Sequence, residues 1–476
     1  MRIKGWSFWG LLLLLFASVI AAGGCGGSDS ANAPGDLENF KVEQTITSSD
    51  WDARIQEMYA QLAASNSGAN AEGWSEVFKR LGAMESVAHL TDYCDGGLSS
   101  IKLEYWTKNA KGDLVQATAA LFIPNSSRTA YKAPIIAIQH PTEVMRKNSP
   151  SKMVNYPWYN ITDAAQAQMH LAATIARCGY IVVLPDYLGM GDNTDVHPYC
   201  HELLADSVSD AITAAIALVK DFKGTNSALP AGWDEKKIML MGYSEGAYAS
   251  MIAAKKMQAE KKLPVTAVAA LDGPYSLSGT MRDVMLTAGS EFTSPYFLPY
   301  FMNAYDAVYG ASIPEVKFDF TVRNDSPKYA DYPAELRKMM DGSHTDAEIN
   351  SLMKDAFADY HGPRTIFSQK FLALLQDESG IVTQTMKKNN SFYNWAPLMP
   401  VKMYHHVSDD LVPRKNMDEA QAAFLAAGAA QKDIITEPFD GYVEIGSSIH
   451  EKAFLIAFLR AVYWLDNYGY GGRFKE

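Results

Sequence analysis

The chain has 476 residues and carries 54 acidic against 42 basic side chains, a formal charge of −12 at pH 7. An acidic surface of this kind repels a polyanion, so nucleic acid is not expected as a partner. No internal repeat and no second independent domain stands out along the chain.

At the amino terminus Arg2 and Lys4 precede an apolar run over 11–20, which ends in Ala21, Ala22, Gly23 and Gly24. This pattern predicts an export signal over 1–24, and the run is too short for a comfortable membrane span. Its removal moves the formal charge from −12 to −14. Cys25 follows at once and opens a polar stretch beginning Gly26, Gly27, Ser28, read as a flexible linker over 25–50. The arrangement resembles a bacterial lipoprotein signal. The resemblance implies lipidation of Cys25 and anchoring at the cell envelope, on the outer membrane if the host is Gram-negative; simple cleavage would leave a periplasmic or extracellular protein. Cys94, Cys178 and Cys200 remain, an odd number in an oxidising compartment. One disulfide plus one buried thiol is the simplest arrangement, with Cys178 and Cys200 preferred as the pair because they flank the same strand and loop.

Helical spacing of Ile55, Met58, Tyr59 and Leu62 predicts an amino-terminal helical extension over 51–84, expected to brace the main domain. Strands are expected at 101–106 and 115–124 around a turn at Lys111, Gly112 and Asp113. Short apolar runs then alternate with helical periodicity: strands at 134–139, 180–185, 237–241 and 265–271, with helices at 164–177, 202–222 and 247–258. Continuously apolar strands separated by helices imply a mostly parallel sheet covered by helices on both faces. The alternation breaks over 278–397, a stretch dense in Tyr, Phe, Met and Pro, and resumes with strands at 401–405 and 434–438 and helices at 418–427 and 451–467. The interruption is expected to be a helical cap, or lid, inserted between the sixth and seventh parallel strands. The remaining segments, 85–277 and 398–476, then form one catalytic domain.

The strand at 237–241 runs into Gly242, Tyr243, Ser244, Glu245 and Gly246, and a helix follows directly. A G-x-S-x-G sequence between a strand and a helix resembles the nucleophile elbow of the α/β-hydrolases, with Gly242 and Gly246 allowing the tight turn and Ser244 exposed at a helix amino terminus. A serine hydroxyl needs a base within hydrogen-bond reach and a carboxylate to orient that base. In this fold they follow the serine in the order acid, histidine. Asp409 and Asp410 both follow the strand at 401–405, and spacing to Val412 and Pro413 favours Asp409; Asp410 is expected to cap a helix or face solvent, and Asp272, which ends an earlier strand, is a variant acid. His450 is the histidine in the loop after the last strand, and is therefore the expected base. The oxyanion hole is expected from the backbone N–H of Glu245 and, since Pro141 has none, that of Thr142.

The segments 139–142, 185–191, 197–199, 242–246 and 294–309 together resemble the bacterial secreted lipase and esterase branch of the α/β-hydrolases. The resemblance implies an esterase acting on small-molecule or lipid esters through an acyl-enzyme on Ser244, and makes Asp186 part of a structural turn. A serine exopeptidase of the same fold and a non-catalytic lipid- or peptide-binding lipoprotein are the alternatives. His197 and His201 stand four apart, but Pro198 lies between them and no clear third ligand accompanies them, so no metal is expected. The chemistry requires no cofactor. The aromatic cluster from Phe292 to Tyr309 is divided between cap core and acyl pocket in a way the sequence leaves open.

Overall fold

Strands β4 (Ala133–Gln139) and β5 (Ile181–Pro185) are buried at every position, as expected of strands covered on both faces. The computed structural model describes residues 32–65, 71–90, 97–125, 132–155, 164–221 and 232–474, so the signal segment, Cys25 and Cys94 lie outside the described residues. With β1 (Leu37–Ile46), β2 (Leu98–Lys108), β3 (Leu114–Pro124), β6 (Trp233–Tyr243), β7 (Val265–Leu271), β8 (Val401–His406) and β9 (Ile434–Phe439), they form one sheet in the order β1-β2-β3-β5-β4-β6-β7-β8-β9. β1, β2 and β3 pair antiparallel, as do β3 and β5, and every pairing from β5 through β9 is parallel.

Strand alternation divides the core in two. Ile135, Ala137 and Leu240 point to a cluster completed by helices Leu204–Asp221 and Glu245–Glu260, while Ile136, Ile138 and Met241 point to one completed by helices Ala164–Arg177 and Ile449–Gly469. Cys178 belongs to the second cluster and Cys200 to the first. The expected Cys178–Cys200 disulfide is therefore not formed: one strand and one loop carry the chain from one face of the sheet to the other, and the two thiols are buried apart.

The bounds of the linker and of the extension also change. The linker assigned to 25–50 contains β1, which pairs with β2 and leaves most of its side chains exposed or half-buried. Such an edge strand draws its stability from backbone hydrogen bonds, and its charged residues Glu38, Lys41 and Glu43 hide the apolar pattern that marks a central strand. The extension begins earlier, at Ser48, and its second helix, Ala71–Leu90, runs through residue 85, where the catalytic domain was expected to begin. The long insertion lies where it was expected, between β7 and β8; only their count differs, as they are the fourth and fifth of the six parallel strands because the leading strands of the sheet are antiparallel.

The extension is fastened at both of its helices. Trp51 is buried, stacks on His170 with ring centroids 5.4 Å apart, and donates to Glu85 at 3.3 Å. Glu76 takes the Arg460 guanidinium at 2.8 and 3.0 Å, joining the second helix to the terminal one. Burial pulls His170 down to about 4, and likewise His201, from the ordinary 6.5. A base whose pKa is depressed on folding takes up its proton in the unfolded chain first, so stability falls as pH drops from 6.5 toward about 4. Each histidine accounts for about 3 kcal/mol at most over that window. Melting temperatures should therefore decline between these pH values, and the decline should be shallower in His170→Gln.

Candidate active site

The chain reverses its direction of travel across the sheet at β4, which lies between β5 and β6, and such a switch opens a crevice beyond the carboxyl ends of the strands. Ser244 stands there, at the junction of β6 and helix Glu245–Glu260, with φ 57° and ψ −120°. This conformation is strained for a residue with a side chain and costs about 1–3 kcal/mol, held in place by the surroundings. A Cβ on Gly242 would lie 2.3 Å from the Gly246 carbonyl oxygen, and one on Gly246 would lie 2.0 Å from that of Gln139. The elbow is thus pressed directly against the loop leaving β4. Gly246→Ala is expected to cost about 3 kcal/mol or to prevent folding, read by urea denaturation.

That loop carries Pro141 and Thr142 to the wall of the cavity that Ser244 lines. Thr142 is held through its hydroxyl, 3.1 Å from the Tyr199 hydroxyl, and His140 is fixed below with its ring nitrogens against the carbonyl oxygens of Pro141 and Asp186. Glu245 occupies the first position of the elbow helix, where a backbone N–H has no partner within the helix.

His450 lies in the first turn of helix Ile449–Gly469, whose amino terminus is closed by a capping box between Ser448 and Glu451. Its Nδ1 donates to Asp409 Oδ2 at 2.6 Å, and its own carbonyl accepts from the Tyr243 hydroxyl. The other Asp409 oxygen accepts from the N–H groups of Leu411 at 3.0 Å and Val412 at 2.8 Å. The two neighbouring aspartates therefore divide: Asp409 meets the ring, and Asp410 accepts the backbone N–H groups of Ile449 and His450 at 3.2 and 3.1 Å. Burial lowers the His450 pKa, but the Asp409 charge and hydrogen bond outweigh it and leave the ring above the ordinary histidine value. Burial conversely opposes the Asp409 charge, and His450 reverses this, keeping that carboxyl below the usual range. His450 and Ser244 line the same cavity, and no hydrogen bond joins their side chains in this structure.

Two features around these residues are not marked by any motif. Glu245 is fully buried, and its carboxylate accepts from His197 Nε2 at 2.7 Å while His197 Nδ1 donates to the Leu188 carbonyl at 2.9 Å. Burial disfavours the imidazolium, yet Glu245 raises the His197 pKa overall. An acidic residue directly after the elbow serine, at a buried helix start, is the signal that a hydrogen-bond donor must be near. His201 points elsewhere, to the Tyr309 hydroxyl at 2.9 Å. The second feature is Asp272 at the end of β7. It is fully buried, accepts from the His406 N–H at 2.7 Å, and has a carboxyl oxygen within 4.8 Å of one from Asp409. Burial, and then the Asp409 charge, drive its carboxyl well above the ordinary range.

The cavity has a volume of about 360 Å³. Tyr296, Phe297, Leu298 and Phe301 of the insertion line it, whereas Phe292, Tyr300, Met302 and Tyr305 are buried in the core, which divides the aromatic cluster that the sequence left undivided. Apart from His450, Glu451 is the one carboxylate or basic side chain on the described wall, and it is engaged by Ser447 and Ser448. Asp186 lies away from the cavity wall, accepting from Ser151 N–H and the Thr118 hydroxyl at 2.8 and 2.5 Å.

The parallel sheet, the sharp turn after β6 and the histidine beyond β9 define the class: the chain has the α/β-hydrolase fold. Within it, residues 157–268 match the profile of the secretory lipase family. Lipase 6 of Candida albicans is 28% identical over 262 residues, which are 54% of this chain and 50% of that protein. The chain spans about half the length of the curated relatives it matches. Among solved structures, the rice cell wall degrading esterase LipA from Xanthomonas oryzae superposes with a TM-score of 0.64 at 21% identity, covering 91% of this chain and 98% of that one. Candida antarctica lipase A in its closed state superposes with a TM-score of 0.55 at 14% identity, over 94% and 84%.

Proposed function

We propose that this chain is an exported serine hydrolase that cleaves carboxylic esters through an acyl-enzyme on Ser244. The observation that carries the reading is the juxtaposition, around one apolar cavity, of a serine on a strained strand-to-helix turn and a histidine held by a buried carboxylate. The His450 Nδ1–H bond to Asp409 leaves Nε2 free to accept a proton. His450 takes the Ser244 proton as the oxygen attacks the ester carbonyl, and the oxyanion is met by the N–H groups of Glu245 and Thr142. The protonated ring passes its proton to the leaving alcohol. Water then attacks the acyl-enzyme with the same ring as base, which releases the acid and restores the serine. The Ser244–His450 hydrogen bond forms when substrate fills the cavity, as catalytic hydrogen bonds often tighten only in the complex.

The similarity to a lipase and the esterase fold of the neighbours support an ester as substrate. The mostly apolar wall favours apolar acyl groups, and the helical insertion serves as the cap over them. Lipidation at Cys25 would hold the enzyme at the cell envelope. Hydrolysis of p-nitrophenyl esters of rising chain length, compared with aminoacyl p-nitroanilides, tests the reading. Turnover is expected on the esters, with an optimum set by the cavity; turnover confined to the anilides would make the protein a peptidase instead.

A further inference from the structure

Asp409 is not the only carboxyl in contact with the site, and the chemistry of a second one beside it is constrained. Asp272 Oδ1 accepts the His406 N–H, while Oδ2 is buried without a hydrogen-bond partner. One oxygen from each of Asp272 and Asp409 and a nitrogen of His405 lie within 4.8 Å of one another. His405 does not serve as the missing donor: its Nε2 donates to the Val412 carbonyl at 2.7 Å and stands 4.0 Å from Asp272 and 3.7 Å from Asp409. Asp409 already receives three hydrogen bonds, from His450, Leu411 and Val412, and is the carboxylate of the pair. Two adjacent buried carboxyls do not both hold a charge readily, and a buried oxygen with no protein donor is satisfied by carrying a hydrogen itself.

We propose that Asp272 is a neutral carboxylic acid whose O–H donates to the Asp409 carboxylate, making it a positioning residue that orients Asp409 and tempers the basicity of His450. The proposal rests on the reading of Ser244, His450 and Asp409 as the catalytic set. Asp272 keeps its proton throughout the reaction. Its hydrogen bond draws charge from the Asp409 carboxylate, so that His450 releases its acquired proton to the leaving alcohol more readily than it would beside an unshared carboxylate. The other titratable groups that interact with Asp272 are His450, His405 on β8, and the buried Tyr243 and Tyr275, whose hydroxyls burial pushes well above the ordinary range and keeps neutral.

Two variants separate a neutral donor from an ionised acid. Asp272→Asn retains an N–H donor toward Asp409, because the His406 N–H fixes the amide oxygen at the other position. It should keep kcat within about threefold of wild type and leave the acid limb of kcat/KM in place. Asp272→Val removes the donor; kcat should fall about a hundredfold with KM little changed, and the acid limb should move to higher pH as the unshared Asp409 charge holds the imidazolium more tightly. If Asp272 were ionised, both variants would remove a negative charge and move the limb to lower pH, which would overturn the proposal. Infrared spectroscopy reads the same proton without relying on activity. The difference spectrum of wild type minus Asp272→Asn at pH 7 should show a carboxylic-acid carbonyl band, and its absence would also overturn the assignment. Labelling of wild type by a fluorophosphonate at Ser244 distinguishes the two levels: no labelling and no ester turnover would defeat the hydrolase reading, while the infrared result still decides the state of Asp272.

Discussion

Replacement of Ser244 by alanine is expected to lower ester turnover at least ten-thousand-fold, leaving the weak acceleration that an oxyanion hole and substrate binding provide alone. The effect should be confined to chemistry. Ser244 makes no side-chain hydrogen bond to the start of its helix, so losing the hydroxyl leaves no buried group unpartnered, and the melting temperature should stay within a few degrees. A glycine variant refines the test. With φ at 57° the backbone favours a residue lacking Cβ, and Ser244→Gly should be as inactive as the alanine variant yet more stable than it by about 1 kcal/mol. Full activity in Ser244→Ala would remove the nucleophile from the proposal and leave the cavity as a binding site.

Much of the sheet was legible because its strands bury both faces. The helix expected at 164–177 and the strand expected at 265–271 occur with those limits, since each has a strong period or apolar run closed by breaking residues. β1 was not legible, because an edge strand is specified by the backbone of its neighbour and not by an apolar face. Parallel and antiparallel pairing could not be counted from alternation alone, which is why the strands flanking the insertion were numbered sixth and seventh among the parallel ones although its place in the chain was read correctly. Around the candidate site, the elbow was marked by glycines whose replacement would strike backbone atoms, a constraint that leaves a sequence signature. The Glu245–His197 pair and the proximity of Asp272 to Asp409 join residues far apart in the chain and leave no such signature. The same holds for Cys178 and Cys200, close along the chain but on opposite faces of the sheet.

The choice between Asp409 and Asp410 gives the second large effect, and hydrogen-bond geometry fixes its sign. In Asp409→Asn the N–H groups of Leu411 and Val412 demand an acceptor, so the amide oxygen must take that side and the amide NH2 must face His450. His450 Nδ1 then accepts where it had donated, the ring proton moves to Nε2, and the nitrogen facing the cavity can no longer take the serine proton. A fall in kcat of roughly ten-thousand-fold follows, with the fold intact. In Asp410→Asn one of two acceptors for the Ile449 and His450 N–H groups is lost, which weakens the start of the terminal helix by about 1 kcal/mol. The ring keeps its partner and its tautomer, so kcat should change less than tenfold. Measuring kcat and urea stability on both variants therefore separates the two carboxylates: one loses catalysis and the other loses stability. Equal and large losses of kcat would mean that the His450 ring leaves Asp409 when substrate binds, and the acid would then have to be sought at Asp410.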